Sequence, residues 1–329
     1  MTHPTATAFR ILGHFWLKEV RAADVATIAA LPELAETLPG HTAADLDALA
    51  VEYQRLFGFN LPPYESIFID PSTMLLAPGT ERLVALYRRA GWTPPAGSRA
   101  GAPDHLGLEL LALADFMEQQ PPAAEQLLAR HVALWLPAFV SALERLAPAP
   151  FYAALAGLTL QLTLSTLADV PSLSGNPFPV LPPPPVYRGS GPDEFSPGRA
   201  DSPELAEPEL RLRDVVSHLL PPSQVGLYLT REDIARVAQS LGLPASMGDR
   251  RQMLETLFRQ AGEFELVPAL LAELTHLFDH AASTYTAWAT DFPAWRGYAG
   301  AWQSRLQTGQ QHLQTLEQTL AQEQALWQL

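Results

Sequence analysis

An aspartate and a histidine stand side by side at Asp104 and His105, where Pro103 gives way to Leu106, Leu110, Leu113 and Met117 recurring every three to four residues. That recurrence is the buried stripe of a helix, so the pair lies at a helix mouth. Two chemistries suit it. The Asp104 carboxylate can cap the first backbone N–H groups of the helix, or it can be offered, with His105 beside it, to a cationic ligand. Another acid, Glu65, follows Tyr64 in Asn60-Leu61-Pro62-Pro63-Tyr64-Glu65-Ser66. This stretch is expected to be extended, because the residue before a proline avoids helix and two prolines adjoin. Read from the residues, Tyr64 plugs an apolar surface and Glu65 stays solvated. Glu273, His276 and His280 fall three and four residues apart and could offer a carboxylate and two imidazoles to a metal ion. They lack the glutamate placement of a His-Glu-x-x-His zinc site, and a solvated helix face is the simpler account. No nucleophile, base and orienting group occur together, so no catalytic residue and no enzymatic activity are expected.

Composition removes further classes. The 329 residues contain no cysteine, which excludes disulfides, thiolate metal sites, iron–sulfur ligation and a cysteine nucleophile. Lys18 is the single lysine, so a Walker loop is absent and no Schiff-base lysine is expected. With 35 acidic against 21 basic residues the net charge is −14, which disfavours nucleic acid and anionic lipid as partners and attracts a basic one. The opening Met1-Thr2-His3-Pro4 lacks the layout of a signal peptide, so a cytoplasmic protein without cofactor is expected.

The elements that must position these residues are all helical in pattern. Phe9, Leu12, Phe15 and Trp16 share one helix face, with His14 left partly exposed. Ala23 to Leu38 is a helix interrupted by Pro32. Thr42 and Asp45 form a capping box for a helix that buries Leu46, Leu49, Tyr53 and Leu56 and is expected to stop at Gly58. Glu81 to Ala90 turns Leu83, Leu86 and Tyr87 inward, and the Pro/Gly-rich loop 93–101 leads into the Asp104–His105 turn. Glu125 to Leu146 is a long helix that Pro137 should kink. Phe151 to Ala168 carries no charge, yet its interleaved Thr, Gln and Ser mark a core helix rather than a membrane span.

The composition changes sharply between Asp169 and Glu209, where Pro182 to Pro185 sit among Ser, Gly, Asp and Glu. Such a segment buries too little apolar surface to offset its ordering entropy, and it reads as a linker. Residues 210–329 are helical again. Within them Thr230 to Pro244 resembles the first helix and turn of a helix-turn-helix, and Arg250, Arg251 and Arg259 would lie on a following helix; a transcriptional regulator acting through residues 230–259 is therefore the alternative reading. Leu306, Leu313, Leu320 and Trp327 repeat at seven-residue intervals beside Trp302 and Leu316. That stripe must pack either on the chain's own body or on a second copy, which would make a homodimer. The fold class expected is all-α, with a helical domain over 1–168, an acidic Pro-rich linker over 169–209 and a smaller helical extension over 210–329.

Three ordered blocks carry a resemblance. Glu52-Tyr53-Gln54-Arg55-Leu56-Phe57, then Pro63-Tyr64-Glu65-Ser66-Ile67-Phe68, then Pro103-Asp104-His105-Leu106-Gly107-Leu108-Glu109-Leu110 resemble the Tyr-x-Arg-Leu-Phe, Pro-Tyr-Glu-Ser and Pro-Asp-His signatures of the TorD/DmsD/NarJ family of molybdoenzyme maturation chaperones. His131 with Trp135 to Phe139, and Phe151 to Leu155, are similar to the helical pair that closes the family's domain. Gly101-Ala102 departs from the many members that carry an acid there. The resemblance covers residues 1–168 and implies a chaperone that binds the leader peptide or N-terminal region of an apo-molybdoenzyme. Binding would hold back export or assembly until the molybdenum cofactor is inserted. It further implies Tyr64, Glu65, Asp104, His105 and Glu109 as peptide-binding residues, Tyr64 by apolar contact and Glu65 toward a cation.

Overall fold

Helix α1, Pro4–Leu17, places Phe9, Leu12, Phe15 and Trp16 on one face as their spacing requires, and all four are buried. The computed structural model describes residues 4–98, 100–171, 175–181 and 212–326, and among these every regular element is helical. His14 points outward and meets Asp24 Oδ1 at 3.0 Å. Short helical turns cover Val25–Ala29 and Pro32–Ala35, with Pro32 opening the second as a first-turn residue. Helix α2, Ala43–Tyr53, is closed at its start by the reciprocal Thr42–Asp45 capping box. It does not stop at Gly58. The chain widens into a π turn over Gln54–Asn60, and Asn60 ends it by donating its side-chain amide to the Arg55 carbonyl at 2.9 Å. A side chain thus terminates the helix where the glycine alone did not.

Three further helices build the region around the motif: α3 at Glu65–Ile69, α4 at Pro78–Arg89 and α5 at Leu106–Gln119. Helices α1 and α5 cross backbone against backbone. A Cβ built on Gly107 would stand 2.6 Å from the Gly13 carbonyl oxygen, and one on Gly13 would stand 2.9 Å from that of Gly107. Only glycine fits at this crossing, which accounts for the glycine two residues after His105.

The long helix expected from Glu125 is built of α6, Pro121–Leu127, a π turn over Leu128–Val132, and α7, Ala133–Arg145. Pro137 sits inside α7 and brings no N–H to the Ala133 carbonyl. That carbonyl instead accepts from Trp295 Nε1 at 3.0 Å, while Trp302 Nε1 donates to the Leu134 carbonyl at 2.8 Å and Tyr298 Oη to that of Ala129 at 2.7 Å. The run Pro121–Arg145 is long and apolar enough to cross a membrane, but 89% of its most apolar window is buried inside the protein. Helix α8, Pro150–Leu167, is a core helix holding Phe151, Tyr152, Leu155, Thr159 and Leu164. Its Thr159 hydroxyl accepts from Trp16 Nε1 at 3.0 Å.

The C-terminal part comprises α9, Leu212–Leu219, α10, Arg231–Ser240, α11, Arg250–Glu263, α12, Val267–Asp291, and α13, Arg296–Leu326. Trp302, Leu306 and Leu313 of α13 are buried in the same apolar cluster that begins at Ala6, so this stripe packs on the chain's own body; the side chains of Leu320 and Trp327 lie outside the described residues. Polar ties join the same halves. The buried pair Arg145–Asp233 meets at 3.1 Å, and Arg55 links Glu52 at 2.7 Å to Glu232 at 2.6 Å. Tyr228 stacks on Phe68 with ring centroids 5.2 Å apart. The run Pro182 to Pro185 lies outside the described residues, but Phe178, expected to belong to the linker, is buried edge-on against Trp302 at 4.9 Å and beneath the Arg305 guanidinium. An aromatic ring that close to an indole is drawn into the core whatever the composition around it.

Candidate functional site

The extended stretch after Leu61 brings Tyr64 alongside His105 in an isolated antiparallel bridge, with Glu65 N–H donating to the Asp104 carbonyl at 3.0 Å and Leu106 N–H to that of Pro63 at 2.9 Å. Two of the motifs are therefore one piece of structure. The Tyr64 ring meets the His105 ring edge-on at 4.9 Å, and its hydroxyl accepts from Gly101 N–H at 3.2 Å. Tyr64 is half-buried, while Glu65, Asp104, His105 and Glu109 are 2, 0, 4 and 0% exposed. The sequence reading that left Glu65 in solvent is overturned by this burial.

Asp104 does cap a helix, but not the one that follows it. The N-cap of α5 is His105, whose Nδ1 accepts from Gly107 N–H at 3.0 Å. Asp104 Oδ2 turns the other way, accepting from Ser66 N–H in the first turn of α3 at 2.8 Å and from the Thr80 hydroxyl of α4 at 3.4 Å. It therefore ties together the two helices that flank the loop 70–77. Asp70 holds that loop from within, taking Ser72 N–H at 2.9 Å and Gly79 N–H at 3.0 Å. Met74, Leu75 and Leu76 of the loop are left in solvent at 65, 43 and 68% exposure, and Thr73 and Leu76 take positive φ of 52° and 57°. Bulky residues held in the left-handed region cost free energy that only the surrounding anchors can offset.

Behind Asp104 the acids continue inward. Glu65 Oε2 stands 2.8 Å from His131 Nδ1, and Glu109 Oε2 accepts from Trp135 Nε1 at 3.1 Å. Glu65 Oε1, Asp104 Oδ1 and Glu109 Oε1, together with the Tyr87 and Ser66 hydroxyls, are buried without a hydrogen-bond partner among the described residues. Three carboxyl groups so placed cannot all carry charge cheaply. Burial, reinforced by Glu65 and Asp104, holds the Glu109 carboxyl well above its usual range, and burial likewise raises Asp104. Burial pushes the His105 imidazole down to about 4, in keeping with an Nδ1 that accepts a hydrogen bond.

His131, Trp135 and Tyr87 were not among the residues singled out as a site. A histidine directly before the apolar run from Val132 to Trp135 was the available signal, since a buried imidazole needs a partner. His276 and His280 lie apart from the cluster on the exposed face of α12, and no group of three His, Asp or Glu placed to hold a metal occurs among the described residues.

These ionisable groups give opposite pH dependences. His105, with its folded value depressed from 6.5 to about 4, contributes stability that is present above pH 6.5 and lost as pH falls toward 4. Glu109, raised from 4.5, contributes stability that is present below 4.5 and lost as pH rises. His105→Asn, which keeps an acceptor for Gly107 N–H, should therefore tilt the profile so that stability falls with rising pH between 4.5 and 6.5. Glu109→Gln should tilt it the other way, each by up to about 1.4 kcal/mol per pH unit, the slope of one proton. Urea denaturation of the parent and both variants across that window measures the tilts, and parallel profiles would remove His105 and Glu109 as the titrating groups.

One bonded cluster unites the Pro-Tyr-Glu-Ser segment, the Pro-Asp-His helix mouth and the His131 turn, in the chain order in which those blocks occur. Residues 21–141 match the family of the nitrate reductase delta subunit. That family is one of molybdoenzyme maturation chaperones, whose members bind the apo-form of the catalytic subunit. The delta-subunit match spans Tyr64, Glu65, Asp104, His105, Glu109 and His131 and ends within α7, so residues 210–329 fall outside it. No curated protein matches the chain. The helix-turn-helix alternative is not supported: α10 ends at Ser240 and α11 begins only at Arg250. Thr230 and Asp233, at the start of α10, are buried, and Arg250 lies 4.0 Å over the Tyr228 ring instead of facing outward with Arg259.

Proposed function

We propose that the chain is a cytoplasmic chaperone that binds the leader peptide or N-terminal region of an apo-molybdoenzyme and holds back its export or assembly until the molybdenum cofactor is inserted. Tyr64, Glu65, Asp104, His105 and Glu109 form the client site together with the exposed loop Met74-Leu75-Leu76. The observation that carries this reading is the trio of buried carboxyl oxygens without partners, on Glu65, Asp104 and Glu109. Their burial is costly as long as no cation meets them, and a leader arginine supplies one. The half-exposed Tyr64 ring is the cover that such a side chain would displace. The apolar run of a leader meets Met74, Leu75 and Leu76, whose loop Asp104 ties at both ends. A net charge of −14 favours a basic segment over an acidic one.

The test is a fluorescence-anisotropy titration with a synthetic twin-arginine leader peptide of a molybdoenzyme. Saturable binding is expected, and it should weaken when the paired arginines become glutamines. Binding no tighter than that of a scrambled peptide of the same composition would end this reading.

A further inference from the structure

A groove of about 960 Å³ runs between α4 and the α6–π turn segment, its polar lining made by Arg82, Arg89, Glu125, Gln126, Arg130 and His131, with Val170, Pro171 and Pro177 to Pro179 lining it as well. Its volume falls within the range of about 300–1,000 Å³ typical of small-ligand pockets. What distinguishes it is unpaired positive charge. In a chain with 35 acids against 21 bases, a free arginine does not lack for acids to pair with. Arg10, Arg55, Arg145 and Arg236 each hold a carboxylate. None of the three arginines in the groove pairs with a carboxylate among the described residues. Arg82 Nη2 donates to the Arg130 carbonyl at 3.2 Å, and Arg89 Nη2 reaches Gln126 Oε1 at 3.5 Å. Arg82 Nη1 is buried and has no hydrogen-bond partner among the described residues. Arg82 and Arg89 are seven residues apart on α4 and so share a helix face, opposite Arg130. Guanidinium groups brought together at one small groove repel each other until an anion lies between them.

We propose that this groove binds a small phosphorylated ligand, the arginine forks of Arg82, Arg89 and Arg130 taking its phosphoryl oxygens and the side chains of Val170 and Pro177 to Pro179 taking its less polar body. Arginine matches phosphoryl geometry with two parallel N–H donors, and three forks suit a group carrying more than one negative charge. The site is distinct from the client cluster, although His131 borders both. It goes beyond the chaperone reading and does not require it.

The experiment is calorimetric titration of the full chain with inorganic pyrophosphate, inorganic phosphate and citrate at matched ionic strength, alongside Arg89→Gln, Arg130→Gln and the double variant. Arg89 and Arg130 are exposed, so their replacement should leave the unfolding temperature of the free protein unchanged. Saturable pyrophosphate binding is expected, weaker by about tenfold or more in each single variant and absent in the double variant. Inorganic phosphate should bind more weakly than pyrophosphate if linked phosphoryl groups span the forks. Arg10→Gln, whose arginine is ion-paired elsewhere, serves as the charge control and should bind as the parent does. No saturable binding, binding that survives in the double variant, an equal loss in Arg10→Gln, or citrate binding as tightly as pyrophosphate would each overturn the proposal.

Discussion

Trp302→Ala is expected to lower the stability of the whole protein by about 3–5 kcal/mol in one cooperative transition, including the helices of the first 168 residues. The indole is fully buried, donates to the Leu134 carbonyl at 2.8 Å and packs against Phe178 and Tyr285. Removing it opens a cavity and strips a partner from a helix already short of one donor at Pro137. Because Trp302 and Leu134 lie in the same apolar cluster, the loss should spread to the helices before residue 168 as well as to those after residue 211. Thermal unfolding followed by circular dichroism and by tryptophan fluorescence checks this. Two separate transitions, with the earlier part of the chain unmoved, would show that residues 1–168 fold as a domain that does not depend on residues 210–329. That division is what composition alone suggests, and the shared core argues for coupling instead.

The second large effect concerns the client site. Asp104→Asn should weaken binding of a twin-arginine leader peptide by about ten- to a hundredfold while leaving the unfolding temperature close to that of the parent, since a charge-assisted contact is worth roughly 1.5–3 kcal/mol. An asparagine oxygen can still accept from Ser66 N–H and from the Thr80 hydroxyl, so the two helices beside the exposed loop stay tied. Asp104→Ala removes those acceptors as well. It should lose both affinity and about 1–3 kcal/mol of stability, the cost of leaving a buried N–H unsatisfied. If Asp104→Asn binds the peptide as well as the parent and only Asp104→Ala is impaired, the carboxylate is a structural tie and the assignment of this loop as a cation site fails.

Much of the helical framework was legible in short stretches of sequence. The Thr42–Asp45 box, the Phe9–Trp16 face and the Leu106–Leu113 stripe each declare themselves within one or two turns, because capping and periodicity are local. The site was legible as a set of residue types and illegible as an arrangement. Asp104 looked like the cap of its own helix, yet its partner is Ser66, 38 residues earlier, and Glu65 looked solvated until His131, 66 residues later, is seen beside it. The Gly107 that appears to be motif decoration is explained by Gly13 across a helix crossing. Gly58 misled in the opposite sense: the glycine suggested a stop, while the stop is made by the Asn60 side chain. Pairings of this kind depend on which surfaces meet, and no window of neighbouring residues contains that information.

The tryptophan that satisfies the Ala133 carbonyl lies 162 residues downstream of it. A ribosome adding about 5–20 residues per second needs roughly 8–30 seconds to cover that distance. For that interval the residues of the π turn and of the proline-interrupted helix exist without the aromatic donors that complete them in the finished fold. The bonds that satisfy the Ala129, Ala133 and Leu134 carbonyls are therefore complete only after Trp302 has been made, and the segment that the family match leaves out completes the part that the match covers.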